Sequence, residues 1–151
     1  GGLWSTADDY LRFARMLLAD GEIDGVRVLS AESVRQMRSD RLTDAQKRIP
    51  FLGMPYWQGR GFGLNLAVVT DPTQSTPLFG PGGVGSFTWP GAYGTWWQAD
   101  PTADLILIYL IQNAPDLGAE AGVAVAGNTS VAKLRTAQPK FVRRTYQALG
   151  L

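Results

Sequence analysis

Gly94-Thr95-Trp96-Trp97-Gln98-Ala99, then Asp100-Pro101-Thr102-Ala103-Asp104, then Leu105-Ile106-Leu107-Ile108-Tyr109-Leu110-Ile111 is the stretch whose reading decides the fold. Its outer parts are rich in β-branched and aromatic residues, and the middle carries the Asp, Pro and Thr of a turn, so two strands flank a short connection. A connection that short implies antiparallel pairing. Leu105–Ile111 is apolar on both faces, which predicts a strand at the centre of a sheet. It is also the longest apolar run and falls far short of the ~20 residues of a membrane span.

Upstream, Phe62–Val69 reads as another strand. A polar turn region, Asp71–Pro77, and a glycine-rich loop, Gly80–Ser86, separate it from Phe87-Thr88-Trp89. Residues 62–112 are thus a set of antiparallel strands. The preceding 41–61 segment has no periodicity and reads as a loop, with Phe51, Met54, Tyr56 and Trp57 folding back on the body or lining a pocket. Residues 1–40 are helical. Ser5-Thr6-Ala7-Asp8-Asp9 offers an N-cap hydroxyl with a carboxylate three positions on. Tyr10, Leu11, Phe13, Ala14, Leu17 and Leu18 then form one face up to the stop at Gly21. Asp24-Gly25 predicts a miniature hairpin with a type I′ turn, and Ser30 caps a second helix with Leu29 and Val34 in the staple positions. Residues 113–138 are poor in large side chains and read as a loop excursion, and Pro139 opens a last helix over 139–150. The order describes a single α+β domain over 1–151, with helices packed on one face of an antiparallel sheet.

Composition narrows the chemistry. With 45% hydrophobic and 11% aromatic residues the chain can bury a core. A net charge of +1 lacks the basic footprint of a nucleic-acid binder. The sequence has no cysteine and no histidine, which excludes thiolate nucleophiles, a Ser-His-Asp triad within this chain and imidazole or thiolate metal sites. No cofactor and no metal are expected. The carboxylates Asp8-Asp9, Asp20/Glu22/Asp24 and Asp100/Asp104 read as caps and turns, and Gly80–Gly85 lacks the Lys-Ser/Thr of a phosphate cradle. Trp57, Trp89, Tyr93, Trp96 and Trp97 read first as core, and second as a stacking platform.

Trp89-Pro90-Gly91-Ala92-Tyr93-Gly94-Thr95 stands apart. A proline-glycine pair in a strand marks an edge, or a place where a ligand takes the backbone bonds of a missing neighbour. Together with Gly1-Gly2-Leu3-Trp4-Ser5-Thr6-Ala7-Asp8-Asp9-Tyr10-Leu11-Arg12-Phe13, Gly61-Phe62-Gly63-Leu64 and Asp100-Pro101, this segment resembles the serine β-lactamase-like hydrolases. These include class C β-lactamases, related esterases and D-aminopeptidases. The likeness covers about Gly1–Gln112 and the last helix. It implies the C-terminal part of a β-lactamase/transpeptidase-like fold, an acyl-enzyme mechanism and a small-molecule ester or amide substrate.

Of the family's motifs, Ser-x-x-Lys, Tyr-x-Asn and Lys-Thr-Gly, His-x-Gly or Trp-x-Gly, the third is matched here by Trp89-Pro90-Gly91. Ser130-Val131-Ala132-Lys133 fits the first in letters, but it follows the third motif and falls in the excursion, where the family's nucleophile does not. The resemblance therefore implies a nucleophile and base on an upstream segment, no activity for this chain alone, and pairing with that N-terminal part or with another copy through an uncovered edge. Ala92 is the implied backbone oxyanion donor, and Trp89, Pro90, Gly91, Tyr93 and Trp57 the substrate-binding residues. Trp89 in place of a cation points to ester or uncharged amide substrates. The alternative is a non-catalytic ligand-binding module using the aromatic platform.

Overall fold

A computed structural model describes residues 3–51, 53–112 and 129–151, with residues 78 and 129–135 described by backbone alone. Its first helix, α1 (Ala7–Leu18), starts at Thr6, whose hydroxyl accepts the Asp9 N–H at 3.1 Å. It ends before Gly21, whose N–H reaches back to the Met16 carbonyl in a left-handed conformation that glycine adopts freely. β1 (Glu22–Ile23) and β2 (Val26–Arg27) form the expected small hairpin. Asp24 and Gly25 both have positive φ, as a type I′ turn requires. Ser30 caps α2 (Ala31–Met37), and Val34 is fully buried beneath it.

The main sheet has the order β3 (Arg60–Phe62), β4 (Ala67–Val69), β5 (Phe87–Thr88), β6 (Trp96–Asp100) and β7 (Leu105–Tyr109), each pair antiparallel. One face is packed by α1 and α2: Ala14, Leu17 and Val34 meet Leu66, Val68, Phe87, Trp97 and Ala99. The other is packed by the loop before β3, by α4 (Pro72–Phe79) and by the last helix, α5 (Thr129–Leu149). There Tyr56, Phe79, Val142 and Tyr146 meet Ala67, Trp96 and Leu107. Helices on both faces, rather than one, correct the reading from sequence. Both faces of β7 are accordingly apolar, while β6 turns Gln98 and Asp100 to the α5 side.

That correction explains the others. β7 lies at the end of the described sheet, not its centre. Ile106 and Ile108 face the α1 side, while Leu105, Leu107 and Tyr109 face the α5 side, so two helical layers produce the pattern that two flanking strands would have. Phe62–Val69 is two strands, because Asn65 takes a left-handed conformation and Gly63 N–H bonds the Leu66 carbonyl at 2.8 Å. Asp71–Pro77 is not a turn but most of α4, capped by Asp71 with Pro72 in the first turn. α3 (Asp44–Lys47) interrupts the expected loop, closed by a Thr43–Gln46 capping box. The last helix begins at Thr129 and carries Pro139 inside it; the Ala, Lys, Leu, Arg and Gln preceding the proline are good helix formers. Residues 113–128 of the expected excursion lie outside the described residues. No described helix is long and apolar enough to cross a membrane.

Two constraints seat the sheet. Gly61 and Gly63 sit where the end of α2 and the residues after it press on β3: a Cβ on Gly63 would lie 1.9 Å from the Met37 carbonyl oxygen, and one on Gly61 2.0 Å from Asp40 Cγ. Leu64 N–H donates to that same Met37 oxygen at 3.1 Å. At the far end, Asp100 is buried and its carboxylate is filled. Oδ1 accepts Thr102 N–H and hydroxyl at 2.8 and 2.7 Å; Oδ2 accepts Gly83 N–H at 2.8 Å and the Tyr146 hydroxyl at 2.5 Å. Burial alone would raise this carboxyl, but these bonds outweigh it and hold it below the usual carboxylate range. Burial and then the Asp100 bond push the Tyr146 phenol up.

Gly63→Ala should therefore destabilise by about 2–3 kcal/mol in urea unfolding, since the obstructing atom is backbone. The Asp100 carboxylate contributes stability that is present above the ordinary carboxyl pKa and lost as pH falls through its lower folded value. Asp100→Asn should cost about 2–3 kcal/mol at pH 7 and flatten the fall in stability below about pH 4, measured by denaturation across pH.

Candidate active site

β5 ends at Thr88, whose hydroxyl donates to the Trp97 carbonyl across the ladder. Beyond it the pleat breaks: Phe87 belongs to the α1 face, yet Trp89, two residues on, packs against Phe62, Phe51 and Tyr56 on the other, at 5.1, 5.7 and 5.9 Å between ring centroids. Pro90 has no N–H to restore the ladder. The chain then reverses in a three-residue hairpin loop. Gly94 N–H bonds the Gly91 carbonyl at 3.0 Å, Gly91 N–H bonds the Thr95 carbonyl at 2.9 Å, and Gly94 has φ +84°. This is a type I turn closed by a left-handed glycine bulge, which leaves the N–H groups of the two tip residues unpaired. Ala92 and Tyr93 are that tip, both exposed, and Ala92 N–H has no acceptor among the described residues.

A cleft of about 380 Å³ opens beside this turn. Trp89, Pro90 and Gly91 form one wall, with Thr95 and Trp96 next to them. Tyr10 and Phe13 of α1 also line it, with ring centroids 5.5 and 6.0 Å from Trp97, the first edge-on and the second tilted. Met37, Asn65, Leu66, Ile108 and Leu110 contribute the rest of the lining beside Trp97. Tyr10 is the one ionisable group among these lining residues, and burial raises its phenol, so the cleft is uncharged at neutral pH. It can enclose an apolar or neutral group, next to the turn that carries the unpaired tip amides. Its lining supplies no activated nucleophile and no base.

Of the residues expected at the site, Trp89, Pro90 and Gly91 come together here, with Ala92 and Tyr93 on the turn above. Trp57 does not join them. It packs behind Phe62 at 5.8 Å and supports Trp89 through that ring. Gly91 has an additional reason to lack a side chain: a Cβ there would lie 1.7 Å from the Thr95 hydroxyl. The five aromatics do not form one exposed platform, because Trp96 and Trp97 are buried. Tyr10, Phe13 and Asn65 were not anticipated. Their signal was faint: Phe13 is an apolar helix residue that stays 42% exposed, and Asn65 is a left-handed asparagine.

The remaining candidates are accounted for by local bonding. Gly83 N–H is committed to Asp100, so the glycine-rich loop is a structural clasp. Asp24 pairs with Arg12, Glu22 with Arg27 and Asp20 with Arg38. No group of three potential metal ligands occurs among the described residues. Ser130 and Lys133 fall in the backbone-only part of α5, so the geometry of that pair lies outside the described residues.

Comparison with known proteins agrees with this architecture. The chain is 79% identical over all 151 residues to two Mycobacterium tuberculosis proteins, the uncharacterized protein MT1414 of strain CDC 1551 and protein Rv1367c of strain H37Rv, and spans 38% of the length of each. It superposes on a mutant of the Aspergillus terreus simvastatin synthase LovD with a TM-score of 0.65 and 21% identity, covering 97% of this chain and 35% of that one. It superposes on EstCE1, a hydrolase with promiscuous acyltransferase activity, with a TM-score of 0.57 and 24% identity, covering 89% and 30%. At those identities the likeness is one of fold. The family model described as Beta-lactamase matches residues 1–128, most of the chain, and the chain belongs to the beta-lactamase family.

Proposed function

We propose that this chain is the substrate-lining part of a serine hydrolase that works through an acyl-enzyme, with the nucleophilic serine and its base on sequence outside these 151 residues. The observation that carries the reading is the unpaired N–H of Ala92, the residue directly after Gly91, which lines an uncharged, largely apolar cleft. An amide held by the turn and left without an acceptor is suited to the negative charge that develops on a carbonyl oxygen when a serine attacks it. In this reading the Ala92 amide and the amide of the nucleophile hold the oxyanion. The tetrahedral species then collapses to an acyl-serine as the leaving group departs with a proton, and water releases the acid. Trp89, Pro90 and Gly91 form the wall against which the acyl or leaving group lies, and Tyr93 stands beside the mouth. No cation lines the cleft, which favours esters and uncharged amides over substrates that must be held by a carboxylate. The rest of the intact protein, by this reading, completes the domain and the site.

The turn makes the decisive substitution benign for folding. Ala92 is the second residue of a type I turn, a position that proline favours. Ala92→Pro in the intact protein should therefore fold and lose about 10²–10³ in kcat/KM on p-nitrophenyl esters. Ala92→Gly should keep most activity. A folded Ala92→Pro enzyme with unchanged turnover overturns the assignment. The 151-residue chain by itself should show no ester turnover; turnover that Ser130→Ala abolishes would place the nucleophile here and refute the division of the site.

A further inference from the structure

Arg60 is 1% exposed, and among the described residues no carboxylate pairs with it. Its guanidinium carbon lies 4.2 Å from the Phe79 ring centroid, 5.3 Å from Tyr56 and 5.9 Å from Trp96. Arg60 Nε and Nη1, the Tyr56 hydroxyl and the Trp96 indole N–H are all buried without a hydrogen-bond partner. Burial disfavours the charged guanidinium, yet arginine does not give up its proton in proteins. Ring faces compensate a buried cation only in part, and they leave in-plane N–H groups unmet. The residues come from three places, the loop before β3, β3 itself and β6, so four orphaned polar atoms in one aromatic cage are not an accident of one local turn. What the cage lacks is an acceptor carrying negative charge.

We propose that Arg60, Tyr56 and Trp96 form a receptor for one small oxyanion of the carboxylate or phosphate class. The guanidinium supplies charge and two N–H donors, the hydroxyl and indole supply one donor each, and Phe79 closes the cage. The anion is either free in solution or the side-chain carboxylate of a segment outside this chain. The site lies on the α4–α5 face of the sheet and does not rest on the acyl-transfer reading. It meets the cleft through Tyr56, which touches Trp89, and through Trp96.

The test is thermal unfolding and tryptophan fluorescence of the intact protein, titrated with sodium phosphate or sodium acetate against sodium chloride at matched ionic strength. Arg60→Met and Arg60→Lys are run alongside. For a free anion, the wild-type Tm rises saturably, by about 5 °C more than that of Arg60→Met once the anion exceeds its Kd about a hundred-fold, and Arg60→Lys responds weakly. For a side-chain carboxylate, the wild type does not respond to either salt, and a crystal structure of the intact protein shows a carboxylate oxygen at hydrogen-bond distance from Arg60. If Arg60→Met does not fold, the wild-type titration, Arg60→Lys and the crystal structure still decide. Absence of both the anion response and a carboxylate against Arg60 overturns the proposal, whatever the stability of the variants.

Discussion

One buried carboxylate holds the architecture together. Asp100 receives bonds from the turn that follows it, from the glycine-rich loop that precedes β5 and from the last helix, so three segments distant in sequence meet on two oxygen atoms. Hydrogen bonds to a charged group are the stronger kind, and a buried carboxylate that lost them would keep its full desolvation cost. Gln98 backs the arrangement from the same strand, donating to the Pro81 carbonyl and the Tyr146 hydroxyl. With the loop fixed at Gly83 and α5 fixed at Tyr146, β5 has little freedom in how it enters the sheet. The position of Trp89 and of the turn beyond it follows from that.

The chemistry available at the turn is set as much by what surrounds it as by the motif. A lysine or histidine where Trp89 stands would bring a charge to the wall, and the rings of Phe51 and Phe62 packed behind it offer that charge no counter-ion. The aromatic packing behind the wall and the neutral lining of the cleft are therefore one property seen from two sides. Arg60, buried among Tyr56, Phe79 and Trp96, is not among the residues that line the cleft.

Much of this was legible in the sequence wherever a local rule decides the outcome. Ser5-Thr6 and Ser30 announce helix starts because a hydroxyl there satisfies the amide three residues on, at Thr6 in the first case. Asp24-Gly25 turns because both residues tolerate positive φ, and Asp100 to Asp104 turns because a side chain there mimics the backbone. Trp89-Pro90-Gly91 was legible as an interrupted strand. What escaped was non-local. The apolar alternation of Leu105–Tyr109 does not distinguish two flanking strands from two covering helices. The break at Asn65 depends on α2 pressing on Gly61 and Gly63, which no window around Asn65 contains. The α1 wall of the cleft, Tyr10 and Phe13, comes from some eighty residues upstream. Gly91, read with Pro90 as the mark of an edge or of a ligand on the backbone, is also clearance for Thr95.

The hairpin loop at Gly91–Thr95 has a consequence in entropy. Its two closing hydrogen bonds and its left-handed glycine fix the direction of the tip amides without help from any bound molecule. The conformational freedom of that backbone is surrendered when the chain folds and not when a ligand binds. A donor ordered in advance needs no reorganisation as charge develops in front of it, and an exposed tip can change its side chains without disturbing the bond it offers. In the acyl-transfer reading proposed above, such a turn separates the part of the site that must stay constant, the amide, from the part that can vary with the substrate, the side chains around it.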